Sequence, residues 1–489
     1  MKIEEDSSRR LSEIFKNMKA KGKKTGLWNI IDKIEGDKVV WIIVFMLTMI
    51  SALAIFSSTS LLTGANKDRG DLIQGHTVII GIGYALMIFI YNIKKIKWLS
   101  TIASLGFLFS VVPLGLLLAD VDWGFLDAQE INHARRTLSF FGFQIHVFEI
   151  AKVCMVLYLA WALNAYKEDQ DKVKARKKSE TLWIANKLAE TKHFAFMGKS
   201  ISKRFFYMYI PMLIVCAMIL PGSNSSAFFC GLIMFATLVI SGIPLKEIVL
   251  GIGFVGIVVG CALGLNVLTA GKIYEGTRVE TMFSRLNADY TTDKLIKIEN
   301  EQGIYTKAWY KERDAIKQPY SAKIAIHEGG LLGKGSGNST QKYVVTHIYS
   351  DYMFSFIVEE YGVWGATLIL ILFVSLLARG SLIARSCKDE FAKIAVAGLS
   401  IMITGQAFMH IAVNVGLMPM TGQTLPLISD GGFAFVMFCI AFGFILSISR
   451  IARNEIRKEE EAAAPLYENT DDVQVAMSVL EGIEQDHEI

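Results

Sequence analysis

The chain has 489 residues, 52% of them hydrophobic, with a mean hydropathy of +0.40 and a formal charge of +4. That is too apolar for an ordinary soluble protein. Its basic residues cluster beside apolar runs, without zinc spacing or a reading helix, so no nucleic-acid partner is indicated.

Residues 1–38 form a basic segment, assigned to the cytoplasm, with Leu11, Ile14, Phe15 and Met18 at helical spacing. The spacing suits an interfacial helix, and a solvated tail fits equally well. The first apolar run follows this long basic stretch and is long enough to span, which argues against a cleaved signal.

A membrane span needs roughly 20 apolar residues. Ten runs qualify: 39–63, 75–93, 98–118, 145–164, 205–221, 224–243, 248–270, 352–377, 391–417 and 431–449. The fold class predicted is an all-α polytopic membrane protein of about ten helices, with a membrane domain over 39–450. An even number of spans puts both termini on one side. That side carries Lys94, Lys95, Lys97, the KVKARKK run at Lys172–Lys178, Arg379, Arg385, Arg450, Arg453 and Arg457. A lysine and arginine excess marks the cytoplasmic face. Residues 451–489 read as an acid-rich cytoplasmic tail.

The six cysteines are Cys154, Cys216, Cys230, Cys261, Cys387 and Cys439. Five lie in apolar segments and Cys387 in a short basic loop, so neither a disulfide framework nor a zinc site is expected.

About 80 residues, roughly 271–350, separate the seventh and eighth spans and are assigned to the outside. A loop that long translocates regardless of its lysines and arginines. A basic outer loop suits an anion such as a phosphorylated lipid.

Polar residues at or within the spans are the candidates for chemistry, because a charge in a bilayer costs ~2.5 kcal/mol or more. Asp351 opens the eighth span, where an N-cap role competes with catalysis. Glu359 and Glu360 lie deeper and on different faces, so they are expected to be structural. Glu149 and Lys152, at i and i+3, share a helix face and can pair. Arg135 and Arg136 stand together before the fourth span, and arginine binds phosphate bidentately. The run GGLLGKGSGNSTQK, Gly329–Lys342, is not a P-loop, since Gly335 follows Lys334. Its glycine-dense backbone can still approach a phosphate or sugar. NVGLMPMTGQTLPLISDGG, Asn414–Gly432, reads as a structured outward turn or re-entrant segment.

These three stretches, GGLLGKGSGNSTQK, SDYMFSFIVEEYG and NVGLMPMTGQTLPLIS, carry a resemblance. The chain resembles the SEDS family (FtsW, RodA and SpoVE) over roughly residues 39–450. TRVETMFSRL and TGQTLPLIS resemble the division-type FtsW branch more than RodA. The resemblance implies a peptidoglycan glycosyltransferase that polymerises lipid II on the outer face of the cytoplasmic membrane. It implies Asp351 as the essential acid, and Glu149 with Lys152 as a pair lining the cavity. Arg136, Lys152, Arg278 and Arg285 become candidates to stabilise the departing pyrophosphate. Lys334, Asn338, Ser339, Gln341 and Lys342 become further substrate-binding candidates. The implied partners are a class B penicillin-binding protein (a transpeptidase) and other division proteins, with location at the septum. No cofactor is assigned; a divalent cation, Mg or Mn, is compatible with the chemistry, but no ligand cluster demands one.

The chain departs from the family's pattern at Thr137, at His146, Val147 and Phe148, around Pro221–Ala227, near Thr346 and His347, and at Asp430. A lipid flippase or another transporter is the alternative, with a site near the midplane around Glu149, Lys152 and Glu359.

Overall fold

The computed structural model describes residues 35–58, 69–130, 135–140, 143–175, 182, 186–187, 189–191, 196, 198–244, 246, 293–302, 304, 306–345 and 348–468. The basic N-terminal stretch before residue 35, the expected span 248–270 and the tail beyond 468 lie outside the described residues.

Helix α1 (Lys38–Ser58) begins where the Asp37 carboxylate accepts the Val39 and Val40 amides at 3.0 and 3.1 Å. Such a side-chain acceptor satisfies donors that the first turn leaves open. Arg379 binds the other oxygen of Asp37, which ties the helix start to a distant span. α2 (Arg69–Tyr91) follows, and α3 (Ile96–Ser104) and α4 (Gly106–Leu118) together make one span. Gly106 sits at their junction because a Cβ there would collide with the main-chain carbonyl of Cys154.

The connection to the next span, read from sequence as a loop, is a three-stranded antiparallel sheet. Its strands are β1 (Leu126–Glu130), β2 (Arg135–Phe140) and β3 (Phe143–His146), in that spatial order. Leu126 pairs with Phe140, and Thr137 with His146. The alternation Leu126, Asp127, Ala128, Gln129 was the available signal: its period of two is that of a strand.

α5 (Val147–Lys174), α6 (Ser200–Ile219) and the shorter α7 (Asn224–Ile240) follow. The outer loop then contributes α8 (Asp293–Gln302) and α9 (Lys307–Gly329), and α9 lies along α10. α10 (Met353–Ser386), α11 (Glu390–Asn414) and α12 (Phe433–Glu468) complete the chain. Among the described residues eight helices are long and apolar enough to cross a membrane, and α7 is a ninth, shorter apolar helix.

The layering follows from exposure. The apolar windows of α2 and of α3–α4 are only 22% and 28% buried, as lipid-facing helices should be. Those of α5 and α11 are 72% buried and that of α12 is 94% buried, so these three make the centre. The polar residues of α5 and α11 therefore meet inside protein rather than in lipid.

α10 breaks at Gly362, whose φ of 65° no ordinary helical residue adopts. The first segment, Met353–Glu360, is wholly buried, whereas Val363 and Trp364 beyond the break are 47% and 69% exposed. Glu359 and Glu360 thus end a buried entry segment, two turns in from Asp351.

Candidate active site

Asp351 occupies the turn before α10, half-buried, and its carboxylate accepts the Ser350 hydroxyl at 3.2 Å. It does not cap the helix: the residue at the cap position is Tyr352, which makes no side-chain cap bond. The first amides of α10 are satisfied from another helix. His410 on α11 stands 3.4 Å from the Phe354 amide through Nε2, and Asn414 Oδ1 accepts the Ser355 amide at 3.0 Å and its hydroxyl at 2.8 Å. Because a backbone amide only donates, His410 Nε2 must accept, so Nδ1 carries the proton and donates to the Gln423 carbonyl at 2.7 Å. Asn414 Nδ2 donates to the Asp351 carbonyl at 3.1 Å. The acid's own backbone is thereby fixed to α11. His410 was not singled out from sequence, and Asn414 only as the first residue of the 414–432 stretch; their i, i+4 spacing on an apolar helix was the usable signal.

The segment between α11 and α12 closes around the same turn. Asp430 donates its amide to the Tyr349 carbonyl at 2.9 Å, and the Ser429 hydroxyl donates to the Ser350 carbonyl at 2.8 Å. Gly422, at φ 64°, brings bare backbone beside the acid: a Cβ there would lie 3.9 Å from Asp351 Oδ2. Two stretches singled out from sequence, at 350–362 and 414–432, thus form one structure.

Glu149 and Lys152 do pair, at 2.6 Å. Lys152 is only 2% exposed, and its ammonium also donates to Gln406 Oε1 at 2.7 Å and Gln423 Oε1 at 2.9 Å. Three acceptors match its three protons, which is the condition for keeping a buried charge. Gln423 passes the connection to Ser226 Oγ at 2.9 Å, and Gln406 to the Thr424 carbonyl at 3.1 Å. The pair is therefore joined through residues 423 and 424 to the segment that walls Asp351.

The glycine-rich run docks on the end of the entry segment. Lys334 and Gly335 donate their amides to the Glu359 and Glu360 carbonyls, both at 2.9 Å, and Val363 donates to the Gly330 carbonyl at 3.0 Å. Gly333 and Gly362 both have positive φ, and a Cβ on either would strike the other's backbone. Glu359, fully buried, accepts the Ser339 hydroxyl at 2.5 Å, the Thr340 amide at 2.8 Å and Lys334 Nζ at 2.9 Å. Glu360 accepts the Ser57 hydroxyl at 2.5 Å and the Gly337 amide at 3.0 Å. Lys342 Nζ donates to the Gly337 carbonyl at 2.7 Å, and Asn338 to the Lys334 carbonyl at 3.0 Å. Gln341 presents its amide to Glu359 at 3.3 Å. These candidate side chains shape the loop from within.

Lys334 also binds Glu328. The hydrogen bond from Lys334 holds the Glu328 carboxyl below its ordinary value. Burial works against the Lys334 ammonium, but Glu328 and Glu359 together raise its pKa above that of a free lysine.

Of the remaining candidates, Arg136 on β2 donates from Nε to the Gly222 carbonyl at 3.2 Å, next to the segment that holds Ser226. Burial lowers the pKa of His146, at the foot of α5, against the opposing pull of Glu149. Arg278 and Arg285 lie outside the described residues, as do Thr346 and His347. The departure at Asp430 puts its carboxylate 3.6 Å from His76 on α2. Among the described residues no three His, Cys, Asp or Glu gather to hold a metal.

A family model described as "Cell cycle protein", for FtsW, RodA and SpoVE, matches residues 37–454. The chain belongs to the FtsW/RodA/SpoVE family. Relatives include the probable peptidoglycan glycosyltransferase FtsW of Pseudomonas fluorescens, 27% identical over 419 residues, covering 82% of this chain and 86% of that protein. That of Enterococcus hirae is 26% identical over 441 residues, covering 87% and 96%. Among solved structures, a chain of a peptidoglycan synthase complex superposes with a TM-score of 0.56 at 20% identity, covering 85% of this chain and 98% of that one. Thermus thermophilus RodA gives 0.51 at 18% identity, covering 86% and 98%. The polytopic fold is thus that of the FtsW/RodA/SpoVE family, and the stretches stitched around Asp351 fall inside the matched range.

Proposed function

We infer that this chain is a peptidoglycan glycosyltransferase that polymerises lipid II, with Asp351 as general base. The observation that carries the assignment is the acid's setting. It is half-buried at the mouth of the entry segment, beside bare Gly422 backbone, with its main chain fixed by Asn414. A base so placed reaches an acceptor sugar hydroxyl while the lipid tail stays in the bilayer. It removes the hydroxyl proton as the oxygen attacks the donor's anomeric carbon, and the bond to pyrophosphate breaks. One displacement converts the α-linked donor to a β-linked product, by analogy with inverting glycosidases.

Pyrophosphate leaves once its charge is balanced, so no general acid is required and cations do the work. Arg136 is near enough to the Ser226 segment to take part, and Arg278 and Arg285 remain proposed for the same role. Lys152 acts from behind, through Gln423, because its protons are already engaged. For Lys334, Asn338, Ser339, Gln341 and Lys342 the proposed contribution is the shape of the glycine loop, whose backbone meets the sugar. No step is routed through a metal.

The relatives' names and the peptidoglycan synthase complex support a cell-wall role in the membrane. The location proposed is the division septum of the cytoplasmic membrane, both termini inside, with a class B penicillin-binding protein as partner. The transporter alternative needs Glu149, Lys152 and Glu359 in one site. In the structure Glu359 binds the outer glycine loop while Lys152 binds Gln406 and Gln423.

The deciding experiment supplies purified protein with labelled lipid II, with and without the transpeptidase, and resolves glycan chains on a gel. Polymer from the wild type and none from Asp351→Asn supports the reading. Polymer from both, or lipid II translocation without polymer, overturns it.

A further inference from the structure

A cavity of about 620 Å³ opens at the far end of the bundle from Asp351, between α5, α7, α10 and α11. Its mouth is charged. Glu390 accepts Lys167 at 2.7 Å and Lys393 at 2.9 Å, and Arg385 on α10 adds a third cation. Three cations against one carboxylate leave a net charge of +2 at the rim. Arg385 has no ion pair among the described residues, and it is exposed.

Below the rim the walls turn apolar, with Ile240, Leu377, Ile394 and Ile401. Ser400 lies in the same wall, about 10 Å along α11 from Lys393. It is 1% exposed, and its hydroxyl fills the space over Gly380, which draws α10 and α11 together at the base of the slot.

We propose that this cavity binds one anionic phospholipid of the cytoplasmic leaflet, phosphate at the rim and acyl chain in the slot. The chemistry of each level matches a lipid and no simpler anion. Arg385 and the two lysines supply charge-assisted donors to a phosphodiester. Below the rim the apolar walls take a chain. A soluble phosphate would use the rim and leave the slot unexplained. The face is the one where lysine and arginine cluster, and anionic lipids are enriched where such clusters face the cytoplasm. The proposal stands independently of the role given to Asp351.

The test uses the full-length protein in nanodiscs of phosphatidylcholine containing a minority of phosphatidylglycerol, with retained lipid counted by native mass spectrometry after release into detergent. One phosphatidylglycerol per wild-type chain is expected, in preference to phosphatidylcholine. Arg385→Gln with Lys393→Gln should cut that retention about tenfold. Ser381→Trp, on an exposed position lining the cavity, should plug the slot with the rim charges intact and also release the lipid. Lys97→Gln, on the same face but away from the cavity, should change nothing, and all variants should melt with the wild type. Equal retention of the two lipids, or equal loss from Lys97→Gln, overturns the proposal. So does competition by inorganic phosphate, which would make the ligand a soluble anion. A wild-type chain that retains no lipid also overturns it.

Discussion

Asp351 and Glu359 stand eight residues apart at the two ends of one buried helical segment, and their surroundings are opposite. Glu359 is fully buried and collects a lysine, two hydroxyls and backbone amides from the glycine-rich run. Asp351 is half-buried; the Ser350 hydroxyl donates to its carboxylate and Asn414 to its carbonyl. A carboxylate that collects donors from a loop holds that loop together. One that is partly exposed beside bare Gly422 backbone, with its main chain fixed, is placed for proton transfer.

The sharpest break in the comparison is Glu359→Ala. It strands the buried Ser339 hydroxyl and the Thr340 amide without their shared acceptor, each at about 1–3 kcal/mol, while Lys334 keeps Glu328. The melting temperature should fall by many degrees, and hydrogen exchange across 333–342 should rise. An unchanged melting temperature would remove the structural role. Asp351→Asn should do the reverse. It preserves size and should leave melting unaltered, while polymerisation falls ~100-fold or more, equivalent to ~2.7 kcal/mol of transition-state stabilisation. Near-normal glycan synthesis by this variant would end the catalytic assignment.

Asn414→Ala tests the link between the two behaviours. It leaves the Ser355 amide without its acceptor, which by analogy with cap deletions costs ~1 kcal/mol of stability. It also frees the Asp351 carbonyl. The expected result is a loss in kcat larger than the loss in melting would suggest, with KM little changed. A fall in melting with kcat intact would make Asn414 a structural residue only.

Much of this was legible in the sequence, and the rest was hidden for physical reasons. Hydropathy located the spans because a bilayer tolerates few alternatives to an apolar helix. The Glu149–Lys152 pair followed from i, i+3 spacing, and the structural part of Glu359 and Glu360 was expected, though not their partners. The partners are long-range: Ser57 reaches Glu360 across 303 residues, and Lys152 reaches Gln423 across 271. No local period encodes such contacts. The break at Gly362 was equally invisible, because its glycine is only required once Gly333 backbone lies against it. The sheet at 126–146 was missed for a different reason. Short alternating runs next to long apolar ones are easily read as connection, and only the pairing of Leu126 with Phe140 gives them an identity.

The smallest expected effect concerns the outer edge of the glycine loop, where Lys334 joins Glu328. The Glu328 pKa is lowered in the folded chain, so its contribution is present above the unfolded carboxylate value and is lost as pH falls through the lowered folded value. The Lys334 pKa is raised, so its contribution is complete below the unfolded lysine value and is lost as pH rises through the raised folded one. The clamp should therefore be flat across neutral pH and weaken only at the two extremes. Glu328→Gln removes the acid-side dependence while Glu359 still holds Lys334, so the melting temperature near pH 7 should change little. The difference in melting between wild type and Glu328→Gln, followed from pH 7 downward, should shrink once the wild-type carboxyl protonates. A difference that grows toward acid would mean that Glu328 is not stabilised by Lys334, and that Glu359 alone anchors the loop.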